Sequence, residues 1–467
     1  MDFDHLLYTL LSLISLLLGY SFLFKPHRLN LPPTPLFGLP FIGHLHLLKH
    51  PVHKTFQTLS QKYGHVFSLK FGSRLVVLVS SPSAIQECFT KNDIILANRP
   101  SLNSGKYLAY NNTTMVVSSY GKHWRNLRRI STLEIFSTTR LNSFSRTREE
   151  EVKRLLRKLW GNYKLEDEFR VVELEPMLLD LTFNIVMRMV GGKKFCEEKN
   201  NNVLEDEGYC KRFKELWLYE KDIMKIGRKT DEVLQGLVDE IRNEEDEGNT
   251  MIQHLLRLQK TDPEYYSDQI IKGLVQDIIL AGIDTSTISL EWALSQLLNN
   301  PEVLKKAKEE IDCLIGHKRL VSEVDLPSLS YLQGIISETL RLHPPAPLLV
   351  PHCALFEECK IKRYNIPRDT IVLINAWAIH RDSGLWEDAT EFKPERHSVI
   401  ESELYKLIPF GVGRRACPGA GMAQRVVGLA LASLIQSFEW ERVDDSLIDM
   451  SEGKGLTMPK AQPLIAK

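Results

Sequence analysis

The sequence predicts a mainly helical α+β protein, because most of the chain has helical hydrophobic period and only two short stretches carry strand signals. Residues 66–79 (VFSLKFGSRLVVLV) are apolar and alternating around a Gly-containing break, which is the mark of a hairpin. Residues 359–375 (CKIKRYNIPRDTIVLIN) are rich in β-branched side chains and punctuated by Pro367, which reads as a second strand patch. At 467 residues, one large helical domain with small accessory sheets absorbs the length.

Composition supports a globular body: 43% of residues are hydrophobic and 25% charged. Lys+Arg and Asp+Glu both number 59, so the overall charge argues against a nucleic-acid partner and leaves any docking to local patches. The seven cysteines (Cys88, Cys196, Cys210, Cys313, Cys353, Cys359 and Cys417) are scattered and lack a CxxC pair. That pattern fits a reducing compartment better than a disulfide framework or a zinc ribbon, and the nearest pair, Cys353 and Cys359, reads as free thiols.

At the amino terminus, Leu6 to Phe24 is free of charge. As a helix it would span roughly 28 Å, enough for a bilayer core. Asp2 and Asp4 precede it, Lys25 and Arg28 follow, and no small-residue cleavage signal is evident, so residues 1–24 read as a membrane anchor with the bulk of the chain in the cytosol. Residues 25–45 form a basic, proline-rich hinge around LPPTP at 31–35, and residues 46–467 form the main domain. His44 and His46 have no partner cluster and are expected in a loop, and the sequons at Asn111 and Asn112 would face the cytosol unglycosylated. The acidic run Glu244 to Glu247 reads as a solvated helix end.

The most informative stretch is FGVGRRACPG at 410–419. Glycines and a proline fix a tight loop that presents one cysteine, Cys417, just before the helical period of AGMAQRVVGLALASLI. Loop N–H groups and the helix dipole would favour a thiolate. By itself this loop is also compatible with a structural thiol or an acyl-transfer nucleophile. A second stretch, AGIDTS at 281–286, lies inside an apolar helix expected over Ile270 to Leu298 and carries the polar pair Asp284–Thr285. Gly282 in mid-helix costs about 1 kcal/mol against Ala and needs a reason. Packing, with Thr285 bonding back to a carbonyl, is one reason; room for a cofactor beside the helix is the other.

The pattern F-x-x-G-x-R-x-C-x-G, matched by Phe410, Gly413, Arg415, Cys417 and Gly419, resembles the haem-binding loop of cytochrome P-450 enzymes. The resemblance extends over essentially the whole chain and is strongest to plant microsomal members of the isoflavone hydroxylase subgroup. It implies a fold of that family, haem b (iron protoporphyrin IX) held by Cys417 as metal ligand, and Arg415 against a haem propionate. WRNLR at 124–128 resembles the second propionate clamp, through Trp124 and Arg128, and the basic excess on that helix suggests a docking face for an acidic electron donor. Asp284 and Thr285 are implied as the proton-delivering pair. ETLR, with Glu338 and Arg341, and Arg396 of FKPERH are implied as a structural triad, with His397 where relatives carry an aromatic residue.

The activity implied is monooxygenation of a small lipophilic, phenolic or isoflavonoid-like metabolite, with electrons from NADPH through NADPH–cytochrome P-450 reductase, at the endoplasmic reticulum membrane. The contrasting readings are a haem-thiolate isomerase or dehydratase that needs no reductase, and an inactive haem-binding variant. The latter is motivated by a substrate-lid region near 217–224 that looks about thirty residues shorter than in relatives. Substrate contacts are expected from Ser104–Met115, Asp277–Thr285, Pro347–Val350 and Leu456–Met458.

Overall fold

The structure, a computed structural model, describes residues 29–161, 170–192, 223–244, 248–357, 359–398 and 404–467, with four isolated positions before residue 29. The expected anchor and most of the shortened lid lie outside the described residues, as does most of the acidic run after Glu244. Among the described residues, no helix is long and apolar enough to cross a membrane.

The helices in chain order are α1 (Val52–Tyr63), α2 (Pro82–Phe89), α3 (Asn103–Leu108), α4 (Lys122–Ile130), α5 (Thr138–Ser143), α6 (Ser145–Gly161), α7 (Glu175–Gly191), α8 (Ile223–Arg242), α9 (Met251–Thr261), α10 (Asp268–Asn299), α11 (Pro301–Leu314), α12 (Ser330–Leu342), α13 (Ala376–His380) and α14 (Ala420–Ser437). The strands are β1 (Val66–Phe71), β2 (Arg74–Val79), β3 (Val172–Glu173), β4 (His352–Cys353), β5 (Cys359–Ile361), β6 (Tyr364–Ile366), β7 (Ile371–Ile374) and β8 (Ile465–Ala466). The expected hairpin is β1–β2, turning at Gly72 in the left-handed region (φ 59°) with Phe71 opposite Arg74. β7 adds parallel to β2, Val77 opposite Val372, and β4 closes the four-stranded sheet. The second strand patch therefore divides: β5–β6 form their own hairpin, while β7 joins the first sheet.

α10 is the axis of the helical mass. Apolar side chains are buried along nearly its whole length, so its burial is not confined to one stripe. Its hydroxyls are satisfied internally: Thr287 Oγ1 donates to Ile283 O at 3.0 Å and Ser295 Oγ to Glu291 O at 2.8 Å. Thr182 of α7 meets Thr287 across the interface at 2.7 Å, which pins the register of the two helices. α14 packs on the other side with Val426 to Ile435 buried, so the loop that precedes α14 faces the middle of α10.

The HLH motif is structural on its first member. His44 is buried, its Nδ1 accepts from Lys70 N at 2.8 Å and its Nε2 bonds Pro35 O at 3.1 Å, tying the hinge to β1.

Candidate active site

A cavity of about 280 Å³ lies between α10, the loop before α14 and the segments 115–116 and 345–352. Cys417 forms part of its wall. The loop is held by Cys417 N donating to Phe410 O at 2.8 Å, and it turns through Gly411 (φ 65°) and Gly413 (φ 76°). A Cβ at Gly413 would lie 2.6 Å from Asp93 Oδ1 and 2.9 Å from Phe89 Cδ1, so both conformation and space require glycine there. Burial pushes the Cys417 thiol up, opposed by the Gly419 amide, Arg128 and the Ala420 amide, all of which favour a thiolate. A bound metal would outweigh the burial by displacing the proton.

α4 is divided between two faces. Trp124 and Leu127 are buried and Arg128 turns inward, while Lys122, Arg125 and Arg129 are exposed. Arg128 Nη1 donates to Ala416 O at 2.6 Å, one residue before the cysteine. Arg415 stacks on the Trp124 ring, 4.3 Å from its centroid, and donates to Ala97 O at 2.7 Å and Ser118 O at 2.5 Å. The structure thus brings Arg415, Trp124 and Arg128 to one wall. It adds Arg99 and His352, which the motifs had not indicated. Arg99 Nη1 donates to Val350 O and Pro351 O at 3.0 and 2.8 Å, and His352 Nδ1 bonds Leu96 O at 2.8 Å.

Three guanidinium groups and an imidazole line this cavity, against a single carboxyl, Asp277, on α10. Burial lowers Arg99 to about 10. Burial, with Arg99 and Arg128 as neighbours, lowers Arg415 to about 9. Burial above all, then Arg99 and Arg415, lowers His352 to about 3. Guanidinium stays charged in proteins, so the unfavourable field persists until an anion enters. A flat cofactor with carboxylate arms and a metal for Cys417 fits this donor set.

On the facing helix, Ala281, Gly282, Thr285 and Ser286 line the cavity. Thr285 Oγ1 donates to Ala281 O at 2.6 Å, the packing geometry foreseen for it, while the residue still borders the cavity. Gly282 serves packing too, since a Cβ there would lie 3.3 Å from Val186 Cγ2 of α7. Asp284 is not among the lining residues: its Oδ2 is buried without a hydrogen bond, burial raises its pKa, and Thr457 is the group that opposes the rise.

Behind the cysteine loop, Glu338, Arg341 and Arg396 converge. Arg341 donates Nε and Nη2 to the two carboxylate oxygens at 2.7 and 2.8 Å, and Arg396 Nε donates at 2.9 Å. His397 joins them, Nε2 to Glu338 Oε2 at 2.9 Å, so the histidine extends the network instead of leaving a packing gap. Burial raises Glu338, but the hydrogen bonds from Arg341 and His397, the Arg341 charge and the Lys393 amide win and hold it at about 2.

Of the segments expected to touch substrate, the cavity takes Met115 from the first, the Asp277–Thr285 face from the second, and Leu349 and Val350 from the third. The turn at 456–458 does not line it. Met458 N donates to Pro345 O and Met458 O accepts from Trp292 Nε1, which turns Met458 into a cluster with Trp377 and leaves Leu456 fully exposed.

Fold and site together define a haem protein with a cysteine ligand loop. A family model described as Cytochrome P450 matches residues 32–465, and the chain belongs to that family; it is a haem-dependent monooxygenase. Cytochrome P450 81D1 of Arabidopsis thaliana is 52% identical, over 98% of this chain and 96% of its own. Isoflavone 3'-hydroxylase of Medicago truncatula is 51% identical, over 98% and 97%. A zebra fish cytochrome P450 structure with progesterone superposes with a TM-score of 0.79 at 23% identity, over 90% of this chain and 99% of the other, a likeness of fold. The alignment to the Arabidopsis relative runs over 492 positions against a chain of 467, so at least 25 positions have no counterpart here.

Proposed function

We propose that this chain hydroxylates a small lipophilic phenolic or isoflavonoid-like plant metabolite. The observation that carries the reading is the 51% identity to an isoflavone 3'-hydroxylase across 98% of the chain, supported by a cavity with apolar walls around Ile278, Ala281, Leu349 and Val350. In this reading Cys417 would hold the haem iron through its sulfur and Arg415, Trp124 and Arg128, with Arg99 and His352, would face the haem carboxylates, while Phe410, Gly413 and Gly419 shape the loop. When bound, the haem supplies the iron that activates dioxygen, and its thiolate ligand favours O–O cleavage.

The residues of α10 supply the rest. Thr285 holds its hydroxyl proton on Ala281 O at the cavity wall, where a rotation of the side chain would free it to donate. Asp284, next in sequence and raised by burial against the Thr457 side chain, is the acid that would restore the proton Thr285 gives up. This pair favours oxygenation over isomerisation, which consumes no protons from solvent.

The electron donor in this proposal is an NADPH-dependent flavoprotein reductase, docking on the exposed Lys122, Arg125 and Arg129 of α4. The apolar run of residues 1–24 anchors the chain as a single pass in the endoplasmic reticulum membrane, residues 25–45 are the hinge, and 46–467 form the haem-thiolate domain in the cytosol. Microsomes containing this chain and a reductase, incubated with NADPH and an isoflavone panel, test the reading: a product heavier by one oxygen is expected. NADPH consumption that no isoflavone stimulates would reject the substrate class. Thr285→Val is expected to divert electrons to peroxide, and unchanged coupling would remove Thr285 from the proton path.

A further inference from the structure

The cavity holds one carboxyl that haem binding does not use. Asp277 is buried, only 7% exposed, yet lines the cavity, and it is the sole acid that does so among the described residues. Val116 N donates to its Oδ2 at 3.0 Å, which fixes the carboxyl against the 115–116 wall. Burial pushes it up to about 7, opposed by the Val116 amide, the Thr114 side chain and the Met115 amide. Asp277, Ala281 and Thr285 form an i, i+4, i+8 row on α10, and all three line the cavity. At 1.5 Å per residue the row separates Asp277 from Thr285 by about 12 Å, close to the length of a three-ring phenolic skeleton. Ala281, small and exposed to the cavity, leaves the middle of the row open for a flat ring.

We propose that Asp277 is a specificity-determining residue, accepting a hydrogen bond from a hydroxyl at the far end of a flat substrate whose oxidised carbon lies at the Thr285 end of the row. The assignment rests on the phenolic reading above and narrows it to substrates with a donor distal to the site of attack. Arg99, Arg128 and Arg415 cannot take this role, because a guanidinium group only donates hydrogen bonds, and His352 already bonds Leu96 O through Nδ1.

The test is a titration of the substrate-induced Soret shift in the full-length, haem-loaded protein. The probes are 7-hydroxyisoflavone, plus isoflavone and 7-methoxyisoflavone, which lack the donor without and with added bulk. Wild type is expected to bind the hydroxyl compound about tenfold tighter than either other probe. Asp277→Leu is expected to abolish that preference. Asp277→Asn keeps the shape and the acceptor for Val116 N, and is expected to reduce the preference at least about threefold. A general loosening of the site would weaken all three probes alike and leave the preference intact. Equal binding of the three by wild type, or a preference undiminished in the variants, overturns the assignment. Should Asp277→Leu fail to load haem, the Asn variant decides by the same criterion. A wild type that binds none of the three rejects the isoflavonoid class on which the assignment rests.

Discussion

Two partly buried clusters of charge lie about the cysteine loop, and they differ in whether the chain gives their guanidinium groups a carboxylate partner. Behind the loop, Glu338 meets Arg341, Arg396 and His397, so every charge has an opposite within hydrogen-bond distance. In front of it, Arg99, Arg128 and Arg415 donate only to backbone carbonyls in the contacts that line the cavity, with no carboxylate among those partners. A cluster paired with its own carboxylate finishes its work within the fold, whereas one without a carboxylate suits an anionic ligand. The difference separates scaffold from site without reference to any motif.

The largest effect is expected at the loop between the clusters. Cys417→Ala should remove the red-shifted Soret band of the reduced carbon monoxide complex entirely, and a retained band would take the ligand role from Cys417. Glu338→Gln should destabilise the fold by about 3–5 kcal/mol in a denaturant titration, because it removes the only carboxylate, among the described residues, from the buried Arg341 and the half-buried Arg396. The pH dependence follows from the same contact. Glu338 lies below its ordinary 4.5, at about 2, so its stabilisation is complete above 4.5 and is lost as pH falls from there toward 2. An acid limb of the stability curve unchanged by the substitution would contradict this.

Arg415→Leu should act chiefly on the cofactor. Haem occupancy falls, while the haem-free protein loses less stability than Glu338→Gln, about 1–2 kcal/mol, because bonds to three backbone carbonyls are lost but no charge is left unpaired. Loss of apoprotein stability comparable to that in Glu338→Gln would erase the distinction between the clusters. The smallest effect is expected for His397→Phe, about 1 kcal/mol in the same titration, since one hydrogen bond to Glu338 is lost and both arginines remain.

Some of this was legible from residue order. The hairpin at 66–79 and the long helix around 281–286 announce themselves because period and turn residues are local properties. The cysteine loop is equally plain, since Gly411 and Gly413 record a backbone path that other residues resist. Arg99 and His352 carried no such mark. Each is an isolated polar residue in its own segment, and its role arises from carbonyls and cavity walls hundreds of residues away. The role of His397 was hidden for a related reason: the carboxylate it reaches belongs to α12, far from it in the chain.

The sequence by itself determined the family, the helical mass with small sheets and the positions of the cysteine loop and of the adjacent Asp284 and Thr285, because each is written in contiguous residues with fixed local geometry. Only the tertiary structure decided that Asp284 turns toward Thr457 while Asp277 faces the cavity, that α4 splits into a buried and an exposed basic face, and that three arginines share one wall. Those outcomes depend on which side of a helix meets which neighbour, and that is settled by packing across the chain, where burial decides whether a charge meets a carboxylate or only backbone carbonyls.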